Sequence, residues 1–165
     1  MNLWYVIQTK PKKEEEAKSY LSTKGVEIFN PLIESFVLRN GRMNKEFKPL
    51  FPNYIFGRFD LNQDYPLVRW ARGVKRVLGF GGYPVPVAEE VVGLIKKRTD
   101  TNGIMRENYH FEPNDLVRIK GGPLKDLLGI FDRWVSDSDR VRVLLNLVGY
   151  QPAVELHYAM IEKVA

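Results

Sequence analysis

The stretch LFPNYIF, residues 50–56, places three aromatic residues within seven positions, around an asparagine that resists burial. Strand alternation puts Tyr54 and Phe56 on one face and Ile55 on the other. One set of side chains therefore serves the core of the domain. The other set either belongs to a core as well or forms an exposed apolar groove, which on a folded domain usually marks a partner site. The residues by themselves leave both interpretations open.

Strands and helices surround this segment in a mixed order. The predicted elements are a strand at 3–7, a helix opened by Pro11 and ended by Gly25, a strand at 26–29, a hairpin turning at Asn40-Gly41, a strand at 54–59, a short helix capped by Asp64, a strand at 74–80 and a helix at 87–98. The short helix is expected to bury Leu67, Trp70 and Ala71. This order predicts an α+β fold, with helices covering a mostly antiparallel sheet.

The pattern changes after Pro113. Short strands are predicted at 116–120, 128–135, 140–148, 153–157 and 160–164, with turns at 121–123, 136–139 and 149–152. Five short strands in about fifty residues are typical of a small β-barrel. Helix is also compatible with the propensities of residues 124–147. We therefore expect two domains, at 1–98 and 111–165, joined by a linker at 99–110.

Composition excludes several classes of protein. The 165 residues contain no cysteine, which removes disulfides and thiolate metal sites, and no apolar run approaches the length of a membrane span. The N-terminus lacks a signal-peptide pattern, so we expect a cytoplasmic protein. Neither His110 nor His157 has a catalytic partner in sequence, and Gly79–Gly82 lacks the ending of a phosphate loop. No enzyme, cofactor or metal site is predicted.

Positive charge is concentrated in the first domain. Residues 1–98 carry 17 Lys and Arg against 10 Asp and Glu, whereas residues 99–165 carry 8 against 10. Arg69 and Arg72 are predicted to share a helix face. The set that could meet a phosphate backbone comprises Lys10, Lys12, Lys13, Arg72, Lys75 and Arg76. Ordinary solubilising charge is the alternative.

Two sets of motifs, in the same order along the chain, resemble the NusG family of transcription elongation factors. The first set is Trp4-Tyr5-Val6, the stretch 50–56, Arg72-Gly73-Val74 and Gly79-Phe80-Gly81-Gly82, which resemble the family's N-terminal α/β sandwich. The second is 113–119, Gly121-Gly122-Pro123, Gly129-Ile130 and 153–156, which resemble its KOW β-barrel. Asn114 and Asp126 stand where the KOW pattern has glycine. Residues 50–54 and 144–147 look closest to the specialised RfaH-like paralogues.

The resemblance implies a non-enzymatic processivity factor. Its N-terminal domain would bind the β′ clamp helices of RNA polymerase through Trp4, Tyr5, Phe51, Pro52, Tyr54 and Phe56. Residues 64–67 would face the β gate loop. The basic set would contact the non-template DNA strand or nascent RNA, and Arg39, Arg42 and Lys45 at the hairpin tip would contact upstream duplex.

The KOW domain of the family binds ribosomal protein S10, and in housekeeping members Rho. The matching positions are Leu124, Leu147, Val148 and Tyr150. RfaH-like members also fold this domain as an α-helical hairpin, but Lys48 stands where their interdomain lock has an acidic residue, and the glycines here favour the barrel. The resemblance implies a monomeric antitermination factor acting on selected operons. The alternatives are a housekeeping factor that cooperates with Rho and a KOW-containing RNA-binding protein without polymerase affinity.

Overall fold

The computed structural model describes residues 1–106, 109–135 and 139–164, so most of the predicted turn at 136–139 lies outside the described residues. The chain divides into two compact units. The first comprises Met1–Ser35 and Phe47–Arg106, and the second comprises Phe36–Glu46 and Glu107–Ala165.

The elements up to residue 106 follow the predicted order. They are β1 (Asn2–Thr9), α1 (Glu14–Thr23), β2 (Glu27–Phe29), β3 (Leu32–Arg39), β4 (Arg42–Pro49), β5 (Tyr54–Asp60), α2 (Leu61–Arg69), β6 (Val74–Val77), β7 (Gly79–Phe80), β8 (Tyr83–Pro84), α3 (Glu89–Lys97) and β9 (Ile104–Met105). Strands β2, β5, β1 and β6 form an antiparallel sheet in that spatial order. The predicted α+β class is confirmed.

Alternation along β1 and β5 divides their side chains between two faces of this sheet. On one face Ile7, Ile55 and Phe59 are fully buried with Leu21 of α1 and Val68 of α2. On the other face Trp4 and Phe56 pack with Val92 of α3. Burying a side chain of this size contributes about 1.5–3 kcal/mol, so both clusters hold the helices on the sheet.

Two helix starts differ from the prediction. The first helix begins at Glu14 rather than near Pro11, because Lys12 adopts the left-handed conformation (φ 60°) and Lys13 donates its backbone N–H to the Lys10 carbonyl in a turn. The second helix is capped by Asp60 rather than Asp64, since the Asp60 carboxylate accepts the Asn62 backbone N–H at 2.9 Å.

Part of the segment predicted as a linker has regular structure. Strand β9 pairs in parallel with the start of β3. The Asp100 carboxylate accepts the backbone N–H groups of Asn102 and Ile104 at 2.8 and 3.0 Å and also binds the Arg106 guanidinium. The Arg106 hydrogen bond, followed by that from Ile104, holds the pKa of Asp100 below its ordinary value.

The second unit contains the remaining strands. They are β10 (Leu116–Ile119), β11 (Leu128–Trp134), β12 (Arg140–Leu145), β13 (Ala153–His157) and β14 (Ile161–Lys163), with a 3₁₀ turn at Tyr158–Met160. They form an antiparallel sheet in the order β13-β12-β11-β10-β14. The described residues after 111 thus form the predicted strands, and the helical hairpin is not adopted.

Backbone geometry explains the residue types at one position in this sheet and at two turns beside it. A Cβ on Gly129 would lie 2.6 Å from Val143 Cγ1 and 2.8 Å from the Leu144 carbonyl oxygen, so only glycine fits there. Asn114 and Asp126, which replace glycines of the KOW pattern, adopt φ values of 74° and 70°. Asn and Asp are the non-glycine residues that best tolerate this conformation, so the turns keep the left-handed form.

Candidate functional site

An aromatic cluster occupies the face of the four-stranded sheet that α3 covers. The rings of Phe29 and Phe51 lie 6.1 and 5.9 Å from that of Phe56, the second pair edge to face. Lys96 Nζ lies 4.6 Å from the centre of the Trp4 ring, at cation–π distance. Trp4 and Phe56 are 4% and 7% exposed, whereas Phe51 is 37% exposed. The cluster is therefore buried at its base and open at Phe51.

Helix α3 adds apolar surface beside these rings. Val92 is buried against Trp4 and Phe56, and Ile95 packs on the same cluster. The neighbouring residues Val91 and Leu94, three positions apart and so adjacent on the helix surface, are exposed. We use the name apolar patch for the part-exposed apolar residues of this segment and of α3, with the two buried rings of the cluster: Phe51, Pro52, Tyr54, Val91, Leu94, Trp4 and Phe56.

Tyr5 does not lie on the apolar patch, although the predicted binding set includes it. Its ring is on the opposite face of β1, 4.7 Å from the Phe59 ring and buried in the main core. Burial, together with the charge of Asp60, raises the pKa of its phenol. Of the other predicted residues, Pro52 is exposed and Tyr54 is half-buried.

A buried carboxylate fixes the turn that presents Phe51, and sequence reasoning missed it. Glu14 Oε1 accepts the backbone N–H of Asn53 at 2.8 Å, and Asn53 adopts φ 71°. The Asn53 carbonyl in turn accepts the Thr9 N–H at 2.8 Å. Glu14 is 39 residues from Asn53 in sequence, so no local pattern marks the pair. The turn that carries Phe51 and Pro52 is therefore anchored to both α1 and β1.

The structure brings the two basic segments together. The Lys10 backbone N–H donates to the Gly73 carbonyl at 2.8 Å, which joins the loop of Lys10, Lys12 and Lys13 to the segment of Arg72, Lys75 and Arg76. All six side chains are exposed. Glu16 partners both Lys13 and Arg72, at 3.2 and 3.8 Å. We call these six residues the basic set.

The residues of α2 and of the hairpin tip lie in surroundings that differ from those predicted. Arg69 and Arg72 do not share a helix face, because α2 ends at Arg69. The Arg69 guanidinium lies 4.5 Å from the Trp70 ring, and Trp70 is exposed rather than buried as predicted. Tyr65 and Leu67, expected near a gate loop, pack partly on the main core. At the hairpin tip Arg39 pairs with Glu46 at 3.5 Å, while Arg42 is exposed.

In the second unit, three of the four predicted binding residues share a turn. Leu147 and Tyr150 exchange backbone hydrogen bonds of 3.2 Å, and Leu147, Val148 and Tyr150 are all exposed. Leu124 instead packs partly on the core of this unit. Leu127 and Leu128, which sequence reasoning did not single out, are exposed as well.

Within residues 1–106, 109–135 and 139–164, no group of three or more His, Asp or Glu side chains could hold a metal ion. In the same part of the chain, no helix is both long and apolar enough to cross a membrane.

Comparison with known proteins agrees with the fold. Residues 2–96, more than half of the chain, match the family model described as transcription termination factor nusG. The transcription termination/antitermination protein NusG of Thermus thermophilus is 30% identical over 97% of both chains. The protein of the same name from Escherichia coli K12 is 30% identical over 83% of this chain and 77% of its own length.

A solved structure is similar in fold alone. The crystal structure of the MjSpt4:Spt5 complex in conformation A aligns over 98% of both chains, with a TM-score of 0.52 and 13% identity. The family model, the two relatives and the arrangement of strands and helices agree with one another, and the chain belongs to the NusG family.

Proposed function

We propose that this protein is a transcription elongation factor that binds RNA polymerase through the apolar patch and suppresses pausing and termination. The observation that carries the proposal is the exposure of Phe51, Val91 and Leu94 next to a cluster in which Trp4 and Phe56 are buried. A stable fold gains nothing from such exposure, whereas a helical partner gains an apolar surface. The relatives' names, termination/antitermination protein, support transcription as the process.

The partner proposed for the apolar patch is the pair of β′ clamp helices. A helix packs into an apolar groove through residues spaced three and four apart. A second contact, from α2 to the β gate loop, would bridge the two sides of the polymerase cleft. A factor that binds the active polymerase more tightly than the paused form shifts the equilibrium by the difference between the two affinities.

The basic set is proposed to contact the non-template DNA strand near the transcription bubble, with nascent RNA as the alternative. Four to six phosphate contacts would give a slope of about −3 to −4 for log K against log salt on a single strand. Arg39, Arg42 and Lys45 at the hairpin tip would add contacts to upstream duplex.

The exposed turn of the second unit is proposed to bind ribosomal protein S10, and so to connect polymerase with the ribosome in the cytoplasm. Leu147, Val148 and Tyr150 supply the apolar contact area, and Tyr150 supplies a ring of the kind that is enriched in binding hot spots. Leu124 would support them from the core. The factor is proposed to act as a monomer.

We also propose that the factor acts on selected operons, as RfaH-like paralogues do. It rests on the resemblance of residues 50–54 and 144–147 to that branch. A housekeeping factor that cooperates with Rho is the second candidate, favoured by the strand form of the second unit and by Lys48 at the position of the acidic lock residue. Suppressed termination at a few operons supports the first, and stimulated Rho termination throughout supports the second.

Retention of polymerase core on the immobilised full chain tests the partner. We expect Phe51→Ala to weaken retention about tenfold or more, because a central ring of an interface contributes roughly 2 kcal/mol. Tyr150→Ala is the control, since it removes an exposed ring from the proposed S10 surface. It should keep polymerase and lose S10. Equal retention by a folded Phe51→Ala variant would reject the apolar patch as the polymerase site.

A further inference from the structure

Three aromatic side chains outside the apolar patch are unusually exposed. Trp70, after the end of α2, is 78% exposed, and Phe80 and Tyr83, on β7 and β8, are 86% and 78% exposed. Single exposed apolar residues are common, but three large rings within fourteen positions are a surface that the core does not use. The polymerase and S10 proposals do not use them either.

A short hairpin holds two of these rings in place. Phe80 and Tyr83 are direct cross-strand partners, joined by Gly81 and Gly82 with φ values of 61° and 84°. Positive φ at both central residues belongs to the tight hairpin turn that matches strand twist. A Cβ on Gly79 would lie 1.7 Å from the Tyr83 carbonyl oxygen, so the strands approach as closely as the backbone allows. The rings therefore project from a constrained support.

Positive charge lies beside the rings. An open depression of about 470 Å³ is lined by Tyr65, Arg69, Arg76 and Tyr83, together with the backbone around residues 77–79 and 82. Both charged residues that line it are arginines. Arg69 stacks on Trp70, and Arg76 is oriented by donating from Nε to Gln8 Oε1 at 2.7 Å. Tyr83 and both guanidinium groups thus line one depression, with Trp70 against Arg69 and Phe80 opposite Tyr83 at its edge.

We propose that Trp70, Phe80 and Tyr83 are stacking residues for unpaired bases of single-stranded DNA, with Arg69 and Arg76 on its phosphates. This rests on the proposed function, because Arg76 belongs to the basic set and a factor on transcribing polymerase faces an unpaired DNA strand. Every base presents a π-face, so stacking on rings beside a positive groove binds single strands without regard to sequence. In a duplex those faces are already stacked, so duplex binds only through its phosphates.

Fluorescence anisotropy of a labelled oligothymidine of about 12 nucleotides, a length within the range of single-strand sites, tests the proposal on the purified full chain. Trp70→Ala and Tyr83→Ala should each weaken binding about 5- to 150-fold, the range typical for loss of one stacking ring. Both side chains are exposed, so the variants should fold, which circular dichroism verifies. Trp70→Phe and Tyr83→Phe, which keep a ring, should bind within about twofold of the parent.

Salt dependence separates stacking from charge. The alanine variants should keep the parent slope of log K against log salt, whereas Lys75→Gln should reduce its magnitude by about 0.7. Alanine variants that bind like the parent would overturn the stacking role, but they would not contradict the DNA contact proposed for the basic set. Tighter binding of RNA of equal length, or equal binding of duplex, would also overturn the proposal. Polymerase retention is measured without oligonucleotide, so failure of the proposed function is distinguished from failure of this inference.

Discussion

The two faces of the four-stranded sheet are built from neighbouring residues of the same strands but are covered very differently. On one face α1 and α2 seal Tyr5, Ile7, Ile55 and Phe59 into the main core. On the other, α3 covers the base of Trp4 and Phe56 through Val92 and leaves Phe51 exposed. One face is thus sealed by two helices, whereas the other leaves the Phe51 ring accessible for the polymerase contact that we propose.

The largest expected difference between the faces is in stability. Phe59→Ala on the sealed face should lower the free energy of unfolding of the first unit by about 3–5 kcal/mol, since it leaves a cavity in a packed core. Phe51→Ala should change it by less than about 1 kcal/mol, because that ring is already partly solvated. Urea unfolding followed by Trp4 fluorescence, with Trp70 and Trp134 replaced by Phe, measures both. Equal losses would show that the two faces are equally part of the core.

An intermediate effect is expected at the anchor of the turn that carries Phe51. Glu14→Ala should cost about 1–3 kcal/mol, because it leaves the Asn53 N–H without its acceptor, and it should weaken polymerase retention by loosening Phe51. Glu14→Gln keeps a carbonyl oxygen at the same position and is the matched control. If Glu14→Ala destabilised the fold but retained polymerase fully, the anchor would serve stability alone.

Strand alternation explains most of what the sequence predicted correctly, and it also shows where the family resemblance misled. The separation of Tyr54 and Phe56 from Ile55 follows from the strand period, and the turn at Asn40-Gly41 follows from the tolerance of both residues for positive φ. The same period places Trp4 and Tyr5 on opposite faces. The resemblance to a family site had grouped them together, so the strand period was the better guide for Tyr5.

Contacts between distant segments could not be predicted. The bond between Glu14 and Asn53 depends on packing of α1 against the sheet. Trp70 was predicted to be buried on a helix that stops at Gly73, but the helix ends at Arg69 and the ring is exposed. Helix ends depend on a few local hydrogen bonds, so they are the least certain part of any pattern.

The smallest effect is expected from pH, at the Asp100 loop of the first unit. Its hydrogen bonds lower the pKa of Asp100 in the folded state below the unfolded value of 3.8. The stabilisation is therefore complete above about pH 4 and is lost as the pH falls through the folded pKa. Urea unfolding at pH 7 and below pH 4 should show a smaller loss of stability for Asp100→Asn than for the parent. An identical loss would place the acid sensitivity elsewhere.

Site-specific photocrosslinking tests most directly whether the partly covered face binds polymerase. A benzophenone side chain replaces Phe51 in the full chain, and the same group at Tyr150 serves as the control. We expect crosslinks from position 51 to the β′ clamp helices of polymerase core and none from position 150. Crosslinks from position 51 to another part of the polymerase, or equal crosslinking to those helices from both positions, would contradict the assignment of the apolar patch.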